Sequence, residues 1–178
     1  YVFGGTQMRH QNWIAGLLFV GLPSAASAQI DPSLVTRAEQ GDVQAQSLIG
    51  FMYANGKGVA RNPIEAVKWF RRAAEQGNAQ AQSNLGLMYQ NGYGVQQNTN
   101  EAVKWFRLAA NQGLAAAQYN LGVLYDTGKG VPEDNAEAAR LFRLAAEQGD
   151  AQAQSNLGLM LAGGEGLPED DVEAVKWY

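Results

Sequence analysis

Apolar residues recur at helical spacing in two stretches of residues 77–112, and this pattern predicts two helices there. The first apolar stripe is formed by Ala81, Leu85, Met88 and Tyr89. The second stripe is formed by Ala102, Trp105, Phe106 and Ala109. Between the stripes, Gly92 and Gly94 predict a turn, because glycine adopts positive φ without a Cβ clash. The pattern therefore predicts a helical hairpin.

The hairpin pattern repeats along the chain with a period of 36 residues. Glycines mark the period at Gly41, Gly77, Gly113 and Gly149. Complete units occupy 41–76, 77–112 and 113–148, and we interpret the fourth, 149–178, as truncated because it stops within its second helix. A single hairpin cannot bury its apolar stripe, so we expect the units to stack on one another.

Polar residues at the helix starts predict N-caps. At the second helices, Asn or Asp is followed three positions later by glutamate, the spacing of a capping box in which each side chain bonds the other's backbone N–H. The pairs are Asn62 and Glu65, Asn98 and Glu101, Asp134 and Glu137, and Asp170 and Glu173. The predicted caps of the first helices are Asp42, Asn78 and Asp150, with Leu114 as the exception.

Glycines within the first helices predict closely packed helix pairs. Glycine inside a helix costs about 1 kcal/mol relative to alanine. It nevertheless occurs at one position of every unit, namely Gly50, Gly86, Gly122 and Gly158. We expect a neighbouring helix to occupy the space that a Cβ atom would fill.

The N-terminal segment has the order of a secretory signal peptide. A positively charged, polar run at 8–12 precedes an apolar run at 13–22, and Ala26-Ser27-Ala28 fits a cleavage site after Ala28. The apolar run is shorter than the roughly 20 residues that span a bilayer, and a buried N-terminal helix is the alternative. We predict that residues 1–28 are the signal peptide with upstream residues. The mature protein is then periplasmic or secreted and leaves the membrane after cleavage.

Residues 29–40 are predicted to cap the first unit. Asp31 and Pro32 form a cap-plus-first-position pair, and Leu34, Val35 and Ala38 form a short apolar stripe. We therefore predict a single helix over 32–39, which shields the inner side of the first unit from water.

Composition and charge argue against catalysis. The chain has no cysteine, and its one histidine, His10, lies in the predicted signal peptide. Cleavage would leave 12 basic and 17 acidic side chains, a net charge of −5. Without histidine or cysteine the mature chain has no Ser-His-Asp triad, Cys-His pair or His-ligated metal. No basic patch is available for nucleic acid. We expect no enzyme activity, metal or cofactor.

The repeat unit carries a family resemblance. The pattern Ala-x-x-x-Leu-Gly-x-Met-Tyr-x-x-Gly-x-Gly-Val, followed by Glu-Ala-Val-Lys-Trp-Phe-Arg-x-Ala-Ala-Glu-Gln-Gly, resembles the Sel-one-like repeat, a relative of the tetratricopeptide repeat. The resemblance covers 41–178 and implies an all-α fold, a right-handed α-solenoid of antiparallel helix pairs with a concave face. It also implies protein–protein interaction. Some secreted members are cysteine-rich and described as weakly β-lactamase-like, and the absence of cysteine here speaks against that analogy.

Two local features invite a chemical interpretation. Gly56-Lys57-Gly58 and its counterpart at 128–130 resemble part of a phosphate-binding loop, yet such a loop follows a strand, and here it joins two helices. Acidic clusters at 133–134 and 169–171 suggest acid–base chemistry or calcium binding. Both clusters precede a helix start, where negative charge is stabilised by the helix dipole. Turn and capping roles are favoured.

The exposed side of the first helices is the predicted binding surface. Its proposed residues are Gln80, Asn84, Leu87, Asn120, Val123, Gln152, Asn156 and Leu159. Stacking would place the three asparagines in a row whose carboxamides can donate to and accept from an extended peptide backbone. The intervening apolar residues could contact side chains. The alternative is that this surface is only solvated or packed against the next unit.

Two functions follow from these observations. The first is an exported scaffold that binds another protein or an extended peptide on its concave face. The second is an envelope hydrolase or carbohydrate-binding module that uses carboxylates on that face. The repeat, the predicted signal peptide and the missing catalytic groups favour the scaffold.

Overall fold

A computed structural model of the protein describes residues 29–177, and this part of the chain is all-helical, without strands. Its helices are α1 (Pro32–Glu39), α2 (Val43–Asn55), α3 (Pro63–Glu75), α4 (Ala79–Asn91), α5 (Thr99–Asn111), α6 (Ala115–Asp126), α7 (Asn135–Glu147), α8 (Ala151–Gly163) and α9 (Asp171–Trp177). Consecutive helices pack in pairs, so the predicted α-solenoid of helix pairs is confirmed.

Helix α1 covers the first repeat, as the sequence predicts. It spans Pro32–Glu39, and the side chain of Asp31 accepts a hydrogen bond of 2.8 Å from the backbone N–H of Ser33. Ala38 is fully buried in an apolar cluster with Ala45 and Ile49 of α2. The predicted signal peptide, with its cleavage after Ala28, lies outside the described residues. Among residues 29–177, none of the helices has the length and hydropathy that a membrane span requires.

The first helices α2, α4 and α6 pack closely on the second helices of their own repeats through a glycine. A Cβ atom built on Gly86 would lie 2.7 Å from Cε1 of Phe106, and one on Gly50 would lie 2.6 Å from Cδ1 of Phe70. Gly122 has the same relationship with Phe142, at 2.8 Å. The recurring glycine is therefore explained by the phenylalanine ring that occupies its vacant side-chain space.

The apolar core lies mainly between repeats. One cluster joins Phe70 of α3 to Leu85 of α4 and includes Trp105 of α5. The next cluster joins Phe106 of α5 to Leu121 of α6 and includes Leu141 of α7, which stands in the tryptophan position. Because each cluster needs the second helix of one repeat and the first helix of the next, a repeat obtains much of its buried apolar area from its neighbour.

The turn glycines also bring repeats together. Gly94, in the turn after α4, has φ of +69°, and a Cβ atom there would lie 2.2 Å from the carbonyl oxygen of Pro63. Gly166 has the same close approach to the carbonyl oxygen of Asn135. The turns at Gly94 and Gly166 thus rest on the start of the previous repeat's second helix, where only glycine fits.

The predicted capping boxes are half correct. The side chains of Asn62, Asn98, Asp134 and Asp170 accept hydrogen bonds from the N–H of the glutamate three residues later. The glutamates do not return to the cap N–H, which instead bonds the carbonyl oxygen at the end of the first helix, as in Asn98 to Tyr89 at 3.0 Å. The glutamates of the first three repeats pair with cations three residues on, for example Glu137 with Arg140 at 2.7 Å, whereas Glu173 pairs with Arg143. The tight turn supplies the carbonyl, so the second half of the box is not needed.

The first helices begin as predicted. Asp42, Asn78 and Asp150 cap α2, α4 and α8 by accepting from the N–H three residues on. Leu114 makes no side-chain cap bond for α6.

Candidate functional site

The first helices of the repeats, α2, α4, α6 and α8, present a surface that is almost free of charge. Asp126 is the one ionisable carboxylate or basic residue in these four helices. Lysines, arginines and glutamates are concentrated instead on the second helices and in the turns. We call the solvent-accessible side of these four helices the first-helix face.

The predicted site residues occupy matching positions on this face. Asn84, Asn120 and Asn156 stand at one position of α4, α6 and α8, and all three are half-buried. Leu87 and Val123 are half-buried at a second position, where Leu159 is 59% exposed. Gln80 and Gln152 are exposed near the helix starts. The residues therefore form two parallel rows, although their role in binding stays a prediction.

Hydrogen bonding on the face is local rather than along the row. Gln80 donates to Oδ1 of Asn84 at 3.3 Å, one turn away on the same helix. Asn91 donates to the carbonyl oxygen of Leu87 at 2.9 Å. Within residues 29–177, no hydrogen bond joins the three row asparagines to one another. Their carboxamides are thus not consumed by a ladder between repeats.

The apolar row is partly shared with the core. Leu87 packs against the cluster formed by α5 and α6, and Val123 packs against the cluster formed by α7 and α8. Each of these two side chains therefore packs against the neighbouring repeat, as the alternative interpretation expects, and still keeps surface that a partner could contact. Phe51, at the same position of α2, is 40% exposed and extends the row into the first repeat.

A groove of about 350 Å³ opens where the first two repeats meet. Asn84 and Leu87 line it, together with residues that the sequence analysis did not single out. The remaining lining residues are Phe51, Ala54, Asn55, Arg61, Pro63, Phe70, Met88, Asn91 and Tyr93. Of the eight predicted residues, the groove brings together only Asn84 and Leu87. Gln80 lies near the start of α4 and does not line the groove, and the other five belong to later repeats.

One cation, Arg61, lines this groove, and a second, Lys57, lies against the ring of the lining residue Phe51. Nζ of Lys57 lies 5.1 Å from the centroid of the Phe51 ring, a cation–π arrangement. Nε of Arg61 donates to the carbonyl oxygen of Ala54 at 3.1 Å and the side chain lines the groove. No acidic residue is among the lining residues.

A buried glutamine in each of the first helices α2, α4 and α6 forms a network that the sequence analysis missed. Gln82 is 4% exposed; it donates to the carbonyl oxygen of Ala74 in the previous repeat and accepts from Gln112 in its own. Gln46 and Gln118 make the equivalent pairs of bonds. The recurrence of glutamine at this position every 36 residues was the available signal. On the buried side of the first helices, the network therefore links each of these helices to second-helix ends or to α1.

Arginines on the second helices reach the next repeat. Arg71 donates to the hydroxyl of Tyr89 at 2.5 Å, and Arg107 donates to the hydroxyl of Tyr125 at 2.8 Å. In the last repeat Leu161 replaces this tyrosine, and Arg143 pairs with Glu173 at 2.7 Å. These contacts explain why the arginine position is basic in the first three repeats.

The ionisable groups with shifted pKa values lie at helix starts or in a helical ion pair. The N–H of Ser33 lowers the pKa of Asp31, and the N–H of Ala45, together with Arg37, lowers the pKa of Asp42. A hydrogen bond to Glu137 raises the pKa of Arg140. Within residues 29–177 there is no group of three or more histidine, cysteine or acidic residues arranged to hold a metal ion.

Comparisons with known proteins agree with this geometry. The Sel1 repeat model matches residues 43–78, 79–114, 115–150 and 151–178. The chain is 44% identical to a protective antigen of uropathogenic Escherichia coli that has an SLR fold, with a TM-score of 0.80 over 84% of this chain and 32% of that one. It is 43% identical to a Sel1 repeat protein from Oxalobacter formigenes, with a TM-score of 0.76 over 82% of this chain and 60% of that one.

A more distant likeness concerns the fold alone. Cysteine rich protein B from Helicobacter pylori is 20% identical, with a TM-score of 0.56 over 71% of this chain and 96% of that one. No curated protein matches the chain. The chain spans less than two thirds of the length of the Escherichia coli antigen and of the Oxalobacter formigenes protein.

Proposed function

Because the chain belongs to the Sel1 repeat family, we propose that it is an exported scaffold that binds an extended segment of another protein along the first-helix face. Members of the family are generally non-catalytic scaffolds for protein–protein interaction. The proposal adds the compartment, the face and the extended form of the ligand.

The observation that carries the proposal is the first-helix face itself. It combines an accessible apolar row, from Phe51 to Leu159, with a row of asparagines that have no hydrogen bond to one another. Apolar side chains can bury those of a partner, and carboxamides can satisfy both the N–H and the C=O groups of its backbone. An extended polypeptide offers both kinds of group at regular intervals.

The near absence of charge on these helices supports a polypeptide backbone as the ligand. Desolvating a charged side chain without a partner is costly, whereas an uncharged amide surface is desolvated at lower cost. A net charge of −4 over the chain also disfavours nucleic acid, whose phosphates require clustered lysines and arginines. The proposed partner is therefore another protein, and no cofactor is required for binding.

Export is proposed from the N-terminal sequence. The order of a charged run at 8–12, an apolar run at 13–22 and Ala26-Ser27-Ala28 is typical of a cleaved signal peptide. The proposal places the mature chain in the periplasm or outside the cell. Fractionation of the expressing cells, with the N-terminus of the product determined by mass spectrometry, tests it. Retention in the cytoplasm with residues 1–28 intact would contradict export.

Capture of partners tests the binding face. The triple variant Asn84→Ala, Asn120→Ala, Asn156→Ala should recover less of the proteins that the unaltered chain captures from a periplasmic extract. Helicity measured by circular dichroism should be unchanged, because these side chains do not hold the repeats together. The control variant Asn100→Ala, Asn111→Ala removes exposed amides from α5. Equal capture by the triple variant and the control would exclude the face.

A further inference from the structure

The groove between the first two repeats combines apolar lining residues with two cations, Arg61 in its lining and Lys57 against the Phe51 ring. Phe51, Leu87 and Met88 supply apolar surface, and Tyr93, 52% exposed, stands at the edge. Its volume of about 350 Å³ is at the lower end of the range for sites that enclose small ligands, enough for a bulky side chain with its flanking backbone.

The first repeat has a basic residue at both of these positions, a pair that the later repeats lack. The position of Lys57 is occupied in the later repeats by Tyr93, Lys129 and Glu165. The position of Arg61 is occupied in the later repeats by Gln97, Glu133 and Glu169. Both positions are basic in the first repeat and both are acidic in the fourth. The turns beside the first-helix face therefore change from positive to negative along the solenoid.

The cations are placed to meet a ligand rather than to neutralise the protein. Lys57 makes a cation–π contact with Phe51 and has no carboxylate within 4.0 Å among the described residues. Among residues 29–177, the one side-chain hydrogen bond of Arg61 joins Nε to a backbone carbonyl, and its terminal nitrogens have no acceptor in that part of the protein. In a chain of net charge −4, two such cations beside an apolar groove without acidic lining residues provide charge complementarity for an anion.

We propose that this groove anchors the partner through a bulky apolar side chain with an aspartate or glutamate beside it in the same extended segment. The apolar side chain enters between Phe51 and Leu87, and the carboxylate lies against Lys57 and Arg61. The inference rests on the proposed function, because it names the sequence that the first-helix face recognises. It also sets the direction in which the segment lies, with its acidic part at the first repeat.

Selection from a random peptide library tests the anchor. Ten-residue peptides displayed between inert flanking sequences, so that no free carboxyl terminus is presented, are selected on the 178-residue chain. We expect enriched peptides to carry a large apolar residue within two positions of an acidic one. Enrichment of peptides without this acidic residue would overturn the anchor and leave the proposed function in place. If the enriched peptides bind the triple asparagine variant as well as the unaltered chain, both the anchor and the proposed function would be overturned.

Variants taken from the chain's own repeats keep the fold while changing the charge. Lys57→Glu and Arg61→Gln introduce the residues that stand at the equivalent positions of other repeats, Glu165 and Gln97. Gln97 donates to the carbonyl oxygen of Gln90 at 2.8 Å, the counterpart of the bond that Arg61 makes. The double variant should bind an enriched, terminally blocked peptide about five- to twentyfold more weakly, since exposed charge contacts are individually modest.

The matched control and the peptide variants complete the test. Lys129→Glu makes the same charge change at the equivalent turn of the third repeat, and it should change binding less than twofold. Replacing the peptide's acidic residue by its amide should weaken binding to the unaltered chain but not to the double variant. Equal effects of Lys57→Glu and Lys129→Glu, or a peptide whose affinity does not depend on the acidic residue, would overturn the proposal.

Discussion

The side-chain amide of Gln112 donates a hydrogen bond of 2.7 Å to Oε1 of Gln82, and Gln82 donates in turn to the carbonyl oxygen of Ala74 at 3.0 Å. One buried side chain thereby joins the end of its own repeat's second helix to that of the previous repeat. The same pair of bonds recurs at Gln46 and Gln118. The polar network and the apolar clusters therefore both bridge the boundaries between repeats.

Replacing Gln82 should destabilise the protein although leucine has a similar length. Gln82→Leu removes both hydrogen bonds and should lower the free energy of unfolding by about 1–2 kcal/mol. Gln80→Leu, at an exposed position of the same helix, should change it by less than about 0.5 kcal/mol. Urea denaturation followed by circular dichroism measures both. Equal effects of the two variants would mean that the network contributes nothing to stability.

The recurring glycine of the first helices should not tolerate a methyl group. Gly86→Ala places Cβ 2.7 Å from the ring of Phe106, and the strain of repacking should cost about 1–3 kcal/mol despite alanine's higher helix propensity. In the double variant with Phe106→Leu, the alanine should cost less than it does alone. Gly163→Ala is the control, because its nearest neighbour is Glu165 at 3.5 Å and the methyl has room. This control should be neutral or slightly stabilising in thermal melting, and a loss equal to that of Gly86→Ala would contradict the packing argument.

Two turn glycines allow the cost of a positive φ to be measured separately from the cost of disturbing the contact between repeats. Gly94→Ala and Gly113→Ala both place alanine at positive φ, which costs roughly 1–2 kcal/mol. A Cβ atom on Gly113 meets nothing within 4 Å, whereas one on Gly94 meets the backbone of Pro63. Gly94→Ala should therefore destabilise the protein well beyond Gly113→Ala. It should also increase hydrogen exchange in α3 and α4, on both sides of the boundary between repeats. Similar stability of the two variants would show that the close approach is dispensable.

Acid should weaken the N-terminal end of the solenoid through its caps. Hydrogen bonds lower the pKa of Asp42 in the folded state below the value of about 3.9 expected for an unfolded chain. The carboxylate's contribution to stability is therefore present above that value and is lost as pH falls through the folded-state pKa. Asp42→Asn keeps a capping residue, as at Asn78, but does not titrate. Its melting temperature should fall less than that of the unaltered chain below about pH 4. Parallel curves for the two proteins would contradict this role.

Much of the fold was predictable because its determinants are local or periodic. The span of α1, the caps at Asn62 and Asp134, and the need for glycine at Gly86 follow from spacing within a single repeat. The resemblance of the repeat motif to a known family then predicted how hairpins stack. These features need no knowledge of which side chains meet across a repeat boundary.

What the sequence analysis missed depends on contacts between distant positions. The glutamate half of the capping box is absent because the turn brings the carbonyl oxygen of Tyr89 to the N–H of Asn98, a geometry that local spacing does not reveal. No local pattern marks the polar Gln82 as buried, yet its amide is satisfied on both sides once the repeats stack. The groove is lined by Phe51 of one repeat and Tyr93 of the next, so it could not be predicted from the pattern of either repeat by itself.

Site-specific photo-cross-linking in the expressing cells shows whether partners bind the first-helix face. Phe51 and Leu108 are apolar and almost equally exposed, at 40% and 42%, but Phe51 lies on a first helix and Leu108 on the second helix α5. A photoreactive phenylalanine analogue is placed at one position or the other. We expect a discrete protein adduct from position 51 and none from position 108. Adducts from position 108 alone, or in equal yield from both, would contradict this expectation.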